Sequence, residues 1–174
     1  MNTPVLLFAV FVLLAAFNAG TMTTLQLQHY SLYPRVGREA FTGYIRANNK
    51  AAFVPAILPA LLLLATSVAL MIRRPPFMTS ATAAVILGLN VAQLVSSIGW
   101  QRRLQAEMAE TGFDARKTQL LVTTNWIRTV AFLAQSAMAL WILLSALQAG
   151  RDARVGRARA GADQQQEQAA EPHR

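Results

Sequence analysis

The stretch TTNWIRTVAFLAQSAMALWILLSALQA, residues 123–149, decides the fold of this chain. No charged side chain follows Arg128 until after residue 149, and a helix that rises about 1.5 Å per residue needs roughly this length to cross a hydrocarbon core about 30 Å thick. Three further apolar segments precede it, at residues 4–27, 51–72 and 79–100. Together they predict an all-α fold, a bundle of four transmembrane helices.

Composition supports a membrane protein and excludes several other classes. The 174 residues are 54% hydrophobic and 14% charged, too apolar for an ordinary soluble domain of this length. The formal net charge is +8, but the basic residues lie between or after the apolar segments, where they meet anionic lipid headgroups. We therefore expect a lipid bilayer as partner and no nucleic acid. The chain has no cysteine, so disulfides and thiolate metal sites are excluded.

Two polar stretches divide the chain further. Residues 26–50 form the first link, in which Pro34 ends the first helix near Tyr33 and a short interfacial amphipathic helix follows. Residues 1–150 are predicted to form the membrane domain, and residues 151–174 a basic tail that is disordered beyond about residue 160 and contacts anionic headgroups. Four spans place both termini on one side. The arginines that adjoin helix ends favour the cytoplasm for that side.

The third apolar segment carries two different faces at helical spacing. A ridge of small residues recurs every four positions and predicts close packing against another helix, within the chain or in a homo-oligomer. The ridge consists of Ala84, Gly88, Ala92 and Ser96. A stripe of polar residues predicts a face that looks into the bundle, because amides in lipid need hydrogen-bond partners. The stripe consists of Asn90, Gln93, Ser97 and Gln101.

Polar residues from three helix ends meet on one side of the membrane in this topology. The candidate ligand pocket that we predict there contains His29, Tyr33, Asn90, Gln93, Gln101, Asn125 and Arg128. The alternative is that these residues are interfacial anchors and inter-helix hydrogen bonds, with Arg128 extending to the headgroups. Only two histidines exist, and His173 lies in the tail, so we expect no metal site and no cofactor.

Three stretches resemble a widespread group of small four-helix bacterial membrane proteins, similar to the anthrone-oxygenase-like domain of unknown function. They are QHYSLYP at residues 28–34, VGREAF at 36–41 followed by Tyr44, and TNWIRT at 124–129. The resemblance covers residues 26–144. It implies a four-helix fold, a location in the bacterial inner membrane, and a metal or redox site built from two histidines after that tyrosine, a glutamate in the second helix and a histidine at the end of the third.

This chain departs from the pattern at all four of those positions. It has Ile45, Asn48, Leu63 and Gln101 there, and none of these is a strong metal ligand. If the family activity is a metal-assisted oxygenation, the resemblance implies that this member has lost or changed it. Three functions follow as hypotheses: a non-catalytic member that binds a small apolar or quinone-like molecule or a partner helix, a membrane oxidoreductase or oxygenase acting on an aromatic substrate, and a structural membrane subunit.

Overall fold

The computed structural model describes residues 2–170 and contains helices but no strand among them. Six α-helices follow one another along the chain: α1 (Thr3–Thr24), α2 (Arg38–Ala51), α3 (Leu58–Ile72), α4 (Ser80–Ser96), α5 (Arg102–Thr111) and α6 (Ala115–Ala170). With the turns that extend them, four helical stretches are long and apolar enough to cross a membrane: Thr3–Arg35, Phe53–Ile72, Ser80–Thr111 and Ala115–Asp163. The predicted all-α fold with four spans is confirmed, and the chain is a multi-pass membrane protein.

Three of the four spans contain a π-helical turn near the same end of the bundle. These turns are Leu25–His29 after α1, Phe53–Ile57 before α3 and Ser97–Gln101 between α4 and α5. In the second turn, the carbonyl of Ala52 accepts from Ile57 N at 3.2 Å, a bond five residues along the chain, where Pro55 has no N–H to donate. Turns of this kind widen a helix locally and are frequent at functional sites.

Helix α3 packs against both α1 and α4. The link from α3 to α4 is short because Arg73-Arg74-Pro75-Pro76 cannot continue the helix, and Met78 N closes a turn on the Pro75 carbonyl at 3.0 Å. Thr79 Oγ1 then accepts from Thr82 N at 3.1 Å and caps α4. The second and third spans are therefore antiparallel neighbours.

Helices α2 and α5 pack against each other beyond the polar end of the spans. Apolar residues of α2 and α5 form one buried cluster with residues from the ends of the first and fourth spans. This cluster, here called the cap core, consists of Tyr30, Tyr33, Phe41, Ile45, Met108, Ala109 and Leu121. Arg46 Nε donates to the Ala109 carbonyl at 3.1 Å and fixes the register of the pair. The predicted amphipathic helix after the first span is present, and its apolar side is buried inside the protein.

The expectation that the third helix ends near Trp100 is wrong. Helical structure continues through the π-helical turn into α5, because Met108 and Ala109 have apolar partners in α2. Gly112 ends α5 with a φ of 86°, which favours glycine over any other residue. Asp114 Oδ1 accepts from Lys117 N at 3.0 Å and caps the start of α6.

Residues from Leu140 onward form a second unit, which consists of the remainder of α6. Helix α6 continues to Ala170, past the position near residue 160 where the sequence predicts disorder to begin. Its basic side chains Arg151, Arg154, Arg157 and Arg159 are exposed. His173 and Arg174 lie outside the described residues, and the predicted division into a membrane domain and a tail stays a prediction.

Candidate functional site

A cavity of about 400 Å³ lies between the ends of α1, α3, α4 and the start of α6. Five of the seven predicted pocket residues line it: His29, Asn90, Gln93, Gln101 and Arg128. All three π-helical turns also contribute to its wall, through residues such as Leu25, Ile57 and Ile98. The local widening of three spans at one level therefore coincides with this space.

The remaining two predicted residues lie behind the wall. Asn125 is fully buried; it donates from Nδ2 to Gln26 Oε1 at 2.7 Å and accepts at Oδ1 from Arg128 Nη1 at 3.3 Å. Gln26 Nε2 in turn donates to the Val122 carbonyl at 3.3 Å. Asn125 thus ties the end of the first span to α6 and orients Arg128 toward the cavity that it lines.

Arg128 is the less exposed of the two arginines at this site, and no carboxylate within residues 2–170 balances it. In the part of the chain that the structure describes, the ion pair is Lys117 with Glu107 at 3.0 Å, in the cap. Arg128 Nε is buried and has no hydrogen-bond partner among residues 2–170. The described cavity lining contains Arg128 and Arg102 but neither Asp nor Glu. A cation in a water-poor wall is costly unless a ligand or partner compensates it.

Two amides of the polar stripe present acceptors without partners. Gln93 Nε2 donates to Gln135 Oε1 at 3.2 Å, and Gln101 Nε2 donates to Thr124 Oγ1 at 2.9 Å. The side-chain oxygens Oε1 of Gln93 and Gln101 are both buried and have no partner among the described residues. These buried atoms lie inside the wall, and the polar groups that the described lining presents to the cavity include the Arg128 guanidinium and the Asn90 amide.

His29 lies between two tyrosines. Its Nε2 is 3.2 Å from the Tyr33 hydroxyl and its Nδ1 is 3.3 Å from the Tyr44 hydroxyl. A neutral imidazole donates from one nitrogen and accepts at the other, so one tyrosine accepts from His29 and the other donates to it. Burial raises the pKa of Tyr44, which keeps that phenol neutral. Tyr33 is fully buried in the cap core and does not line the cavity, so its role is to position His29.

No group of three or more His, Cys, Asp or Glu side chains lies close enough together to hold a metal ion within residues 2–170. Both ring nitrogens of His29 already contact tyrosine hydroxyls. Among the four positions at which the family pattern has strong ligands, Ile45 and Leu63 are fully buried. Asn48 and Gln101 line the cavity.

Sequence reasoning missed part of the polar wall. Gln105 and Asn49 line the cavity, and Gln105 Nε2 donates to the Tyr30 hydroxyl at 3.4 Å. A signal for Gln105 exists, because it follows Gln101 by four residues and continues the polar stripe; it was missed because the helix was expected to end at Trp100. Asn49 carries no such signal, since it reaches the cavity only through the packing of α2 on α5.

The side of the cavity formed by α3 is apolar. It consists of Ala56, Ile57, Ala60, Leu61 and Leu64. Ile57 and Leu61 are 37% and 43% exposed, and Ile98 on the opposite side is 54% exposed. These three residues line the cavity and also face outward, so the cavity opens between α3 and the π-helical turn after α4, toward lipid.

A second and more open groove of about 560 Å³ lies beside this cavity and shares Leu25, Asn48, Ala52 and Ala56 with it. None of its described lining residues is charged. It lacks the donor and acceptors that distinguish the cavity, and it is therefore the weaker candidate despite its larger volume.

The predicted packing ridge on α4 is exposed along most of its length in the part of the chain that the structure describes. Ala84, Gly88 and Ala92 are exposed, and a Cβ added at Gly88 would meet no atom within 4 Å. Only Ser96 is partly buried. Packing of this ridge against a second protein stays a prediction.

Comparison of the chain with protein-family models, with curated proteins and with solved structures gave no match.

Proposed function

We propose that this protein binds a small, largely apolar molecule, such as a quinone-like compound, in the cavity between its spans. The observation that carries the proposal is Arg128, which lines a cavity of about 400 Å³ without a carboxylate partner among the described residues. Small-molecule sites commonly measure about 300–1,000 Å³ and combine apolar walls with a few polar groups.

The polar atoms of the wall match an oxygen-bearing ring. A ligand carbonyl oxygen accepts from the guanidinium of Arg128, and a ligand hydroxyl donates to the side-chain oxygen of Asn90, since both residues line the cavity. The apolar ring and any attached chain lie against Leu61 and Leu64 of α3. These contacts support a ligand that is dissolved in the membrane.

Filling the cavity tests this function. Ala60 lines the cavity, whereas Ala65, on the same helix, is exposed and does not line it. Ala60→Phe is expected to abolish the rise in melting temperature that a decyl-substituted benzoquinone produces, and Ala65→Phe, the matched control, is expected to retain it. An equal rise in both variants would place quinone binding outside the cavity.

A second candidate is an oxidoreductase or oxygenase that acts on an aromatic substrate. The arrangement that favours it is His29 at the cavity wall, hydrogen-bonded to Tyr33 and Tyr44 behind it, with Arg128 available to stabilise an oxyanion. Its test is turnover of a phenolic or anthrone substrate in the presence of oxygen. Activity that disappears in His29→Gln and survives in the control Ala65→Phe, which does not line the cavity, would favour catalysis over binding alone.

A third candidate is a structural subunit or homo-oligomer packed through the exposed small residues of α4, with a partner helix in place of a small ligand.

We also propose that the protein belongs to the anthrone-oxygenase-like group and lies in the bacterial inner membrane with both termini in the cytoplasm. Anionic lipid would then contact the basic side chains of Arg151, Arg154, Arg157 and Arg159. A reporter fused to either terminus tests the orientation.

A further inference from the structure

We infer that the cavity selects a single-chain amphiphile with an anionic head, a carboxylate or a phosphate bound by Arg128. This inference rests on the proposed binding function and specifies its ligand. It concerns the charge of the head and the place of the tail, neither of which follows from the presence of a cavity alone.

The first argument is charge. Arg128 and Arg102 line the cavity, and none of its lining residues that the structure describes is acidic. The polar contact of Arg128 inside the protein is a neutral amide oxygen, that of Asn125, at 3.3 Å. A neutral ligand leaves this cation uncompensated, whereas an anion supplies the missing opposite charge in a medium of low dielectric constant. Among ligands of equal shape, the wall therefore favours the anion.

The second argument is the set of donors near Arg128. Its Nη1 donates to Asn125 Oδ1, and its Nη2 makes no hydrogen bond within residues 2–170. The Tyr30 hydroxyl accepts from Gln105 Nε2 at 3.4 Å, which leaves its own hydrogen free to donate. Both Tyr30 and Arg128 line the cavity, and the exposed Arg102 lies at its rim. Carboxylate and phosphate oxygens accept several such hydrogen bonds at once, and a single hydroxyl or ether oxygen accepts fewer.

The third argument is the place of a tail. The apolar wall runs along α3 from Ile57 to Leu64, a length of about 10 Å at 1.5 Å per residue. Ile57, Leu61 and Ile98 line the cavity and are also exposed toward lipid. An acyl or alkyl chain can therefore extend from the head along α3 and leave through this opening into the bilayer without crossing polar surface.

Volume limits the ligand to one chain. The cavity measures about 400 Å³, near the lower end of the range for small-molecule sites. A head with one chain suits this space, with the distal part of the chain in lipid. A diacyl lipid brings a second chain, which this cavity cannot also enclose and which would have to lie in the neighbouring, more open groove.

Four probes with matched chains test the inference: dodecanoate, dodecyl phosphate, dodecanol and a decyl-substituted benzoquinone. Each is titrated calorimetrically into the full chain in nanodiscs of phosphatidylcholine, so that no anionic lipid competes. We expect dodecanoate or dodecyl phosphate to bind at least about tenfold more tightly than dodecanol and the benzoquinone. Acetate and inorganic phosphate, the heads alone, are expected not to bind.

Two pairs of variants assign the binding to the cavity and to Arg128. Arg128→Leu is expected to reduce the affinity for the anionic probe at least about tenfold and to leave dodecanol unaffected. Arg103→Leu, the matched control, removes an exposed arginine that does not line the cavity and is expected to change neither affinity. Ala60→Phe is expected to abolish binding of the anionic probe, and Ala65→Phe to preserve it.

The outcomes separate the inference from the function on which it rests. Equal affinity for dodecanoate, dodecyl phosphate and dodecanol, or a preference for the benzoquinone, with binding lost in Ala60→Phe, overturns the anionic head and leaves the binding function in place. Failure of every probe to bind in a way that depends on Ala60 overturns both. A preference between the carboxylate and the phosphate identifies the head. If Arg128→Leu does not fold, the comparison of charged and neutral probes in the unmodified protein decides.

Discussion

Arg128 Nη1 donates to Asn125 Oδ1 across 3.3 Å, so a neutral amide holds the cation of the cavity wall. Asn125 is itself fixed by its 2.7 Å bond to Gln26 Oε1 at the end of the first span. The guanidinium is therefore positioned by the packing of two spans, and its charge stays available to whatever enters the cavity. This relationship connects the fold to the proposed function.

The first prediction concerns the bond between Asn125 and Gln26. Asn125→Leu leaves Gln26 Oε1 buried without its donor and is expected to lower the free energy of unfolding by about 1–3 kcal/mol. The double variant Gln26→Leu with Asn125→Leu removes both partners and is expected to be less destabilised than the sum of the two single variants. Denaturant unfolding in mixed micelles measures all three. Strict additivity would contradict the bond.

The second prediction concerns the cap core. Phe41 is fully buried, with its ring 5.6 Å from that of Tyr33 and 5.3 Å from that of Phe113. Phe41→Ala is expected to cost about 3–5 kcal/mol and to expose the α2 region to protease. Phe53→Ala is the control, because Phe53 is 51% exposed. Equal protease resistance of the two variants would show that α2 does not pack as described.

The third prediction concerns pH and the cap of α6. Hydrogen bonds from the backbone N–H of Lys117 and then of Arg116, together with their positive charges, hold the pKa of Asp114 below its ordinary value of 3.8. The ionised carboxylate therefore contributes stability above that ordinary pKa, and the contribution is lost as pH falls through the lower pKa of the folded state. Asp114→Ala is expected to melt below the unmodified protein at about pH 6, and the difference in melting temperature is expected to shrink as the pH falls below 3.8. Asp114→Asn, which caps without titrating, should show a smaller pH dependence.

The fourth prediction concerns the exposed ridge of α4. A side chain added at Gly88 meets no atom of the described chain within 4 Å, and glycine is a poor helix former. Gly88→Leu is therefore expected to leave the monomer folded and no less stable. Analytical ultracentrifugation in detergent then reports on partners. Loss of an oligomer in this variant would show that the ridge packs against a second copy, and a destabilised monomer would contradict its exposure.

Much of the fold could be predicted from local sequence. The length of the uncharged runs determines the four spans, the first helical stretch ends at Arg35, one residue after Pro34, and Asp114 has the chemistry of a helix cap. The spacing of the polar stripe on α4 predicts a face that looks into the bundle, because amides in lipid need hydrogen-bond partners. Gln93 and Gln101 of this stripe find such partners on α6.

The remaining features depend on tertiary contacts. Residues 102–111 have the composition of a polar link and become helix α5 only because Met108 packs against α2. The π-helical turns have no clear local signature except at Pro55. For these reasons Gln105 and Asn49 were missed, although both line the cavity. Tyr33 was placed in the pocket from its spacing, whereas its ring is buried in the cap core.

The most direct test of the central claim is native mass spectrometry of the protein released from its own membranes. The unmodified chain and Ala65→Phe are expected to carry a small-molecule adduct, because both keep the cavity that Arg128 lines. Ala60→Phe is expected to be free of it. An adduct of the same mass and occupancy on all three proteins, or on none of them, would contradict the claim that this cavity binds a ligand.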